Sequence, residues 1–226
     1  MLKLLRNKKT AKKIWIGLAV IIIISFVFFG FEDVFGNKNK KGYIGKISGK
    51  KITTAEFNDS LNAVRNTAIM QFGDNLEQIE KSLNLEAQAW QRIALLETAK
   101  KLKIKVSDQE VVTQVENYPF FKRNGVFDSK IYNELLKYVF HTPARTFEEQ
   151  TRQNLMISKL YSKITDDIKV DDKEIKDRYI KVQTINNPKF KIDDKKFLGE
   201  KKEYGKIALE EKKQEVFSKY MAGLLK

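Results

Sequence analysis

The chain has 226 residues and a formal net charge of +14, with 42% of its residues hydrophobic and 32% charged. That length suits one or two compact domains, and the apolar share is too high for a wholly disordered chain. Cysteine is absent, which excludes disulfide scaffolds, thiol nucleophiles, thiolate zinc sites and lipid attachment through cysteine; a single histidine, His141, argues against Ser-His-Asp catalysis and multi-histidine metal sites.

Residues 1–13 carry Lys3, Arg6, Lys8, Lys9, Lys12 and Lys13 and no acid. Residues 14–31 (IWIGLAVIIIISFVFFGF) hold no charge and one polar side chain, Ser25. As a helix this run would span ~27 Å, close to the ~30 Å hydrocarbon core of a bilayer. The end of the run and the residue that follows it, Phe28, Phe29, Gly30, Phe31 and Glu32, lack the small-residue pattern of a cleavage site. An uncleaved transmembrane signal anchor is therefore expected, with Ile14, Ile21, Ile24, Phe28 and Phe31 in the span and Trp15 near its inner boundary. The basic tail 1–13 predicts an N-terminus held in the cytoplasm, with the bulk of the chain extracytoplasmic. Residues 32–42, ending GNKNKKG, read as a linker.

Tyr43–Ile47 and Lys51–Thr53, around Ser48-Gly49, predict a small β-hairpin. Thr53 and Glu56 have capping-box spacing, and Phe57, Leu61, Val64 and Ala68 follow at helical intervals up to Phe72-Gly73. A second helix is expected over 85–102, with Ala89, Ile93, Leu96 and Leu102 on its apolar face and Trp90 beside it. Ser107 and Glu110 open a third, with Val111, Val112 and Val115, ending before Pro119. Residues 120–128 (FFKRNGVFD) read as a loop turning at Asn124-Gly125. Asp128 or Ser129 caps the next helix, with Ile131, Leu135, Leu136 and Val139. The chain restarts at Thr142-Pro143 into a long helix carrying Phe147, Leu155, Leu160 and Ile164. Asp171 or Asp172 caps a short helix over 170–181, and Val182–Ile185 with Lys189–Ile192 suggest an extended pair. A last helix, 207–225, places Val216, Phe217, Tyr220, Met221 and Leu224 at spacings of three and four.

Four blocks in this order carry a resemblance. Residues 44–57 (IGKISGKKITTAEF), 118–132 (YPFFKRNGVFDSKIY), 146–160 (TFEEQTRQNLMISKL) and 170–179 together resemble the N-terminal domain of SurA-type periplasmic chaperones. Ser48 stands where that family usually has Asn. With the anchor, the arrangement is similar to the membrane-anchored, PpiD-like foldases. The resemblance implies a mainly α fold: a transmembrane helix, then a multi-helix domain over 43–226 with a small β-hairpin. It implies closure by the helix 207–225, returning onto 43–102. Many members continue into a parvulin prolyl isomerase domain with two active-site histidines; 45 residues follow Lys181, and the lone His141 lies upstream. The reading is therefore a chaperone or foldase without isomerase activity, at the bacterial inner membrane.

The expected partners are unfolded or nascent exported polypeptides and, through the anchor, the lipid bilayer; the secretion translocon is a further candidate. No nucleic acid partner is expected, because acids are interspersed among the lysine clusters. No cofactor, metal or catalytic residue is expected. Phe120, Phe121, Phe127, Tyr132, Phe140 and Trp90 are first of all core candidates; they are also candidate client-binding residues, since aromatic side chains bury area without fixed partners. A scaffold that binds one cell-envelope partner with the same fold, and an enzyme, remain alternative classes.

Overall fold

The computed structural model describes residues 42–47, 49–186 and 192–224. The tail, the anchor run 14–31, the linker up to residue 41, Ser48, residues 187–191 and the last two residues lie outside the described set. Among the described residues no helix is long and apolar enough to cross a membrane. The described chain is mainly helical.

It opens with the antiparallel hairpin β1 (Tyr43–Ile47) and β2 (Lys50–Thr53). Gly49 occupies the turn at φ +82°, a conformation that glycine reaches without a Cβ penalty. Helix α1 (Thr54–Phe72) follows directly. The Thr53 hydroxyl accepts from the Glu56 amide at 3.1 Å, and the Glu56 carboxylate accepts from the Thr53 amide at 2.9 Å. This capping box satisfies two amides that a helix start leaves orphaned. Two 3₁₀ turns, Gly73–Asn75 and Glu80–Ser82, flank the single-turn α2 (Leu76–Ile79). Helix α3 (Leu85–Lys101) is capped by Asn84, whose side chain accepts from the Ala87 amide. Leu102, expected on the apolar face of α3, instead lies just beyond its end and is exposed. Its chain turns there through Lys103 at φ +54°.

Helix α4 (Asp108–Asn117) starts with the second expected capping box, Ser107 with Glu110. Residues 119–128 are more ordered than a loop. A 3₁₀ turn (Pro119–Phe121) leads into a two-residue ladder, β3 (Lys122–Arg123) with β4 (Val126–Phe127). The reason is local: Asn124 and Gly125 both take positive φ, the tight hairpin geometry that Asn-Gly favours. The Asp128 amide closes the unit onto the Phe121 carbonyl at 2.8 Å. Asp128 then caps α5 (Ser129–Tyr138), and α6 (Ala144–Thr165) follows Pro143.

The described residues form two compact units. One comprises residues 42–160 with 221–224, the other Tyr161–Tyr220. In the first unit, one apolar cluster joins Ile47, Ile52, Ile93 and Ala94 with half-buried Phe57 and Trp90. A larger one is centred on Phe121, Tyr132, Phe140 and Phe147.

The second unit holds the end of α6, α7 (Asp172–Asn186) and most of α8 (Asp194–Leu224) around Ile175, Tyr179 and Phe197. Asp171 and Asp193 serve as helix caps, so the adjacent carboxylates Asp171-Asp172 and Asp193-Asp194 stand at helix starts, where negative charge is favoured. Two expectations are corrected here. Val182–Ile185 is not extended: α7 runs on to Asn186, because the Asp171–Glu174 cap starts it and nothing before Asn186-Asn187-Pro188 stops it. Its supposed partner, Lys189–Lys191, lies outside the described residues, and Ile192 is in no strand. The last helix begins at Asp194, not 207. Gly205 does not break it and faces Ile175, whose Cδ1 would lie 3.3 Å from an added Cβ.

Gly45 is a close-approach position. A Cβ there would sit 2.6 Å from Cη2 of Trp90. Gly45→Ala should lower stability by ~1–3 kcal/mol, the usual cost of overpacking; urea unfolding measures it, and an unchanged midpoint would show that Trp90 simply moves aside.

The caps give a pH prediction. Glu56 is held at about 2, first by the Thr53 amide and then by Lys50. Glu110 is held at about 2 by Lys159 and the Ser107 amide. The ordinary value is 4.5. A carboxylate with a depressed folded pKa contributes stability above its unfolded pKa and loses it as the pH falls through the folded one. The melting temperature should fall as the pH drops from about 5 to about 2, and Glu56→Gln with Glu110→Gln should flatten that fall. Thermal melts across this range decide it.

Candidate functional site

Five of the six candidate aromatics meet in one place. The segment Tyr118–Asp128 folds back on α5 and the start of α6, and its rings surround Phe121. Phe121 is 0% exposed and makes edge contacts with Phe120 at 4.5 Å, Tyr132 at 4.9 Å and Phe147 at 5.6 Å between ring centroids. Such edge-to-face pairs set the positive ring edge against the negative face of its neighbour. Tyr132 and Phe140 are also buried, with Phe140 5.2 Å from Phe147. Phe120 and Phe127 are half-buried: Phe120 stacks on Tyr118 at 5.2 Å, and Phe127 leans on Tyr132 at 5.7 Å. Trp90 is not part of this group. It packs with Phe57, 5.1 Å away, in the hairpin cluster.

The surroundings are weakly charged. Arg123 is paired with Asp128 at 2.9 Å, and Lys122 reaches Asn117 at 3.5 Å, so neither cation is idle. The Tyr132 hydroxyl donates to Glu148 at 3.3 Å; burial first, and then that carboxylate, push its pKa upward. At the tip of the β3–β4 ladder Val126 is 71% exposed. The cluster thus has a closed floor of Phe121, Tyr132 and Phe140 and a rim of Phe120 and Phe127, while Val126, next to Phe127 on the strand, faces away from it. This arrangement can bury apolar groups. It offers no paired general acid and base and no nucleophile with a base. Among the described residues no group of His, Cys, Asp or Glu could hold a metal ion. His141 is exposed, in the turn before α6, at φ +47°.

A second feature escaped the reading of the sequence. Arg92, on α3, is 6% exposed. Its guanidinium donates to the Asn154 carboxamide, to Gln153 Oε1 at 3.0 Å and to the Gln150 carbonyl at 3.3 Å, all on α6. Its Nε finds no partner among the described residues. On the same side, Asn66 of α1 donates to Gln150 Oε1 at 2.8 Å and to Thr142 Oγ1 at 3.0 Å. Burial draws the Arg92 pKa down to about 10, with Glu149 opposing the fall, so the cation persists at neutral pH. The signal was present: Gln91-Arg92 interrupts a run of alanines, isoleucine and leucines in mid-helix.

A family model described as the SurA-like N-terminal domain matches residues 1–161. The chain belongs to that family. Among its relatives, the foldase protein PrsA of Clostridium botulinum (strain Langeland) is 26% identical over 245 residues, covering 96% of this chain and 72% of PrsA. The periplasmic chaperone PpiD of Escherichia coli (strain K12) is 29% identical over 149 residues, covering 62% of this chain and 23% of PpiD. No solved structure matches the chain significantly. The SurA-like match spans the hairpin, α1 to α5 and nearly all of α6, and so includes both the aromatic cluster and the Arg92 contacts.

The floor of the cluster and the exposed tip of the β3–β4 ladder should respond differently to truncation. Phe121→Ala, at the centre of five ring contacts, should cost ~3–5 kcal/mol of stability. Val126→Ser, on the exposed tip, should change it by less than ~0.5 kcal/mol. Urea denaturation of both variants checks the assignment.

Proposed function

We propose that this protein is a membrane-anchored, extracytoplasmic chaperone or foldase that binds unfolded exported polypeptides and has no prolyl isomerase activity of its own. The observation that carries the reading is membership of the SurA-like N-terminal domain family, whose relatives here are named a foldase and a periplasmic chaperone. The anchor is residues 14–31, oriented by the basic tail, with the inner membrane as the site of action and the translocon within reach.

Client contact falls on the rim, Phe120 and Phe127, with Trp90 as a second point. Phe121, Tyr132 and Phe140 form the floor that holds the rim in place. Large, adaptable apolar side chains on a rigid support suit partners that share composition rather than sequence. The absence of isomerase chemistry is supported by the placement of the one histidine and by the helical character of the described residues after Thr165.

The full chain should suppress aggregation of at least two unrelated unfolded proteins. Phe120→Ala with Phe127→Ala should weaken that suppression severalfold while leaving a cooperative melt. An X-Pro peptide, whose isomerisation barrier is ~18–20 kcal/mol, should isomerise at its uncatalysed rate. Capture of one partner only, with no effect on aggregation, would replace this reading with that of an envelope scaffold.

A further inference from the structure

The β1–β2 hairpin carries an electrostatic arrangement that the fold itself does not use. In the register of the ladder, Lys46 of β1 lies directly opposite Lys51 of β2. Ile47 and Ile52 point inward to the Trp90 cluster, so the two lysines share the outer face. Like charges directly opposite each other on a sheet are destabilising. Lys50, on the inner face, is neutralised by Glu56 and Glu97, each at 3.0 Å. Among the described residues Lys46 has no carboxylate partner, and Lys51 meets only the ring of Tyr43, 5.4 Å away. Tyr43 is itself 47% exposed, and Ile44 beside it is exposed too.

The backbone adds a second element. Ile47 and Lys50 are the last pair of the ladder, with two residues between them in sequence. In a hairpin with so short a connection the last pair exchanges both backbone hydrogen bonds, which makes the next pair, Lys46 and Lys51, a non-bonded one. The N–H and C=O of Lys46 therefore turn toward the outer edge of β1. No described strand or loop bonds to that edge.

We infer that the outer edge of β1 takes an extended, acidic polypeptide segment as a third strand. The main chain of the segment would pair with Lys46. One side chain would carry a carboxylate opposite Lys46 on the outer face, and its alternate neighbours would be apolar, lying on the inner side beside Ile47 and Trp90. Strand addition of this kind draws affinity from backbone hydrogen bonds and selectivity from alternate side chains. It rests on the reading that unfolded polypeptide is the client, and it names the class of segment recognised: alternating acidic and apolar residues, held away from the Phe120–Phe127 rim.

The test uses the full chain in zwitterionic lipid nanodiscs and a labelled ten-residue peptide of alternating Val and Glu, read by fluorescence anisotropy. Binding is expected, and Lys46→Glu should weaken it at least tenfold while favouring the Val-Lys peptide. A Val-Glu peptide N-methylated on the edge-facing amides should lose binding at least tenfold to the wild-type chain, a comparison that needs no altered protein. Equal binding of the methylated peptide, or indifference to Lys46→Glu, overturns the proposal. So does attachment to anionic vesicles without peptide binding, which would make the hairpin a lipid contact. If no peptide binds but aggregation suppression persists, this edge site fails and the chaperone reading stands; if suppression fails as well, both fall.

Discussion

A buried guanidinium holds the first unit in register. Arg92 reaches from α3 to three residues of α6, while Asn66 reaches from α1 to Gln150 and Thr142. Removing a cation from water is costly unless its donors are satisfied, and here neutral oxygens do most of that work. Apolar faces alone tolerate small slides of one helix along another. A planar fork with fixed acceptors does not, because a displacement of one turn would leave a charge buried without partners. The position of α6 relative to α1 and α3 follows from this contact, and with it the placement of Phe147, which carries the aromatic cluster.

The aromatic cluster then divides by depth. Phe120 and Phe121 are adjacent in sequence, yet one is half-buried and the other has no exposed surface. The 3₁₀ turn that starts at Pro119 separates them: it sends one ring inward among Tyr132, Phe140 and Phe147 and leaves its neighbour stacked on Tyr118. A rigid floor under a partly open rim is what a surface needs if it is to accept varied apolar groups without collapsing on itself. The Asp128 cap, which also pairs with Arg123, ties the small ladder to α5 and keeps the rim from swinging free.

Much of this was legible in the sequence wherever the determinant is local. The hairpin turn, both capping boxes, the Asp128 cap and the order of the helices depend on residues a few positions apart, and spacing reveals them. The errors arose where local preference and context disagree. Val182 and Ile185 favour strands in isolation, but a well-capped helix with no breaker runs through them. Gly199 and Gly205 weaken the helical signal of α8, yet the helix begins before both, and at Gly205 the missing side chain admits Ile175. Five of the six candidate aromatics do share a cluster, but periodicity cannot rank their depth. The Arg92 contacts were out of reach for another reason: the bond from Asn66 to Gln150 spans 84 positions, and that from Arg92 to the Gln150 carbonyl spans 58. A single chain gives no hint of such a pairing beyond a charge stranded in an apolar run.

Helix α1 contributes to both apolar clusters of the first unit. Phe57, near its start, packs with Trp90 in the hairpin cluster, while Ile69 and Met70, near its end, pack against the aromatic one. The helix acts as a shared beam of 19 residues. Neither cluster can come apart without stripping apolar surface from the element that supports the other. Two small cores that would each be marginal alone are thereby coupled, so the unit should lose its structure in one cooperative step, with no stable half-folded form of the hairpin end or of the aromatic end.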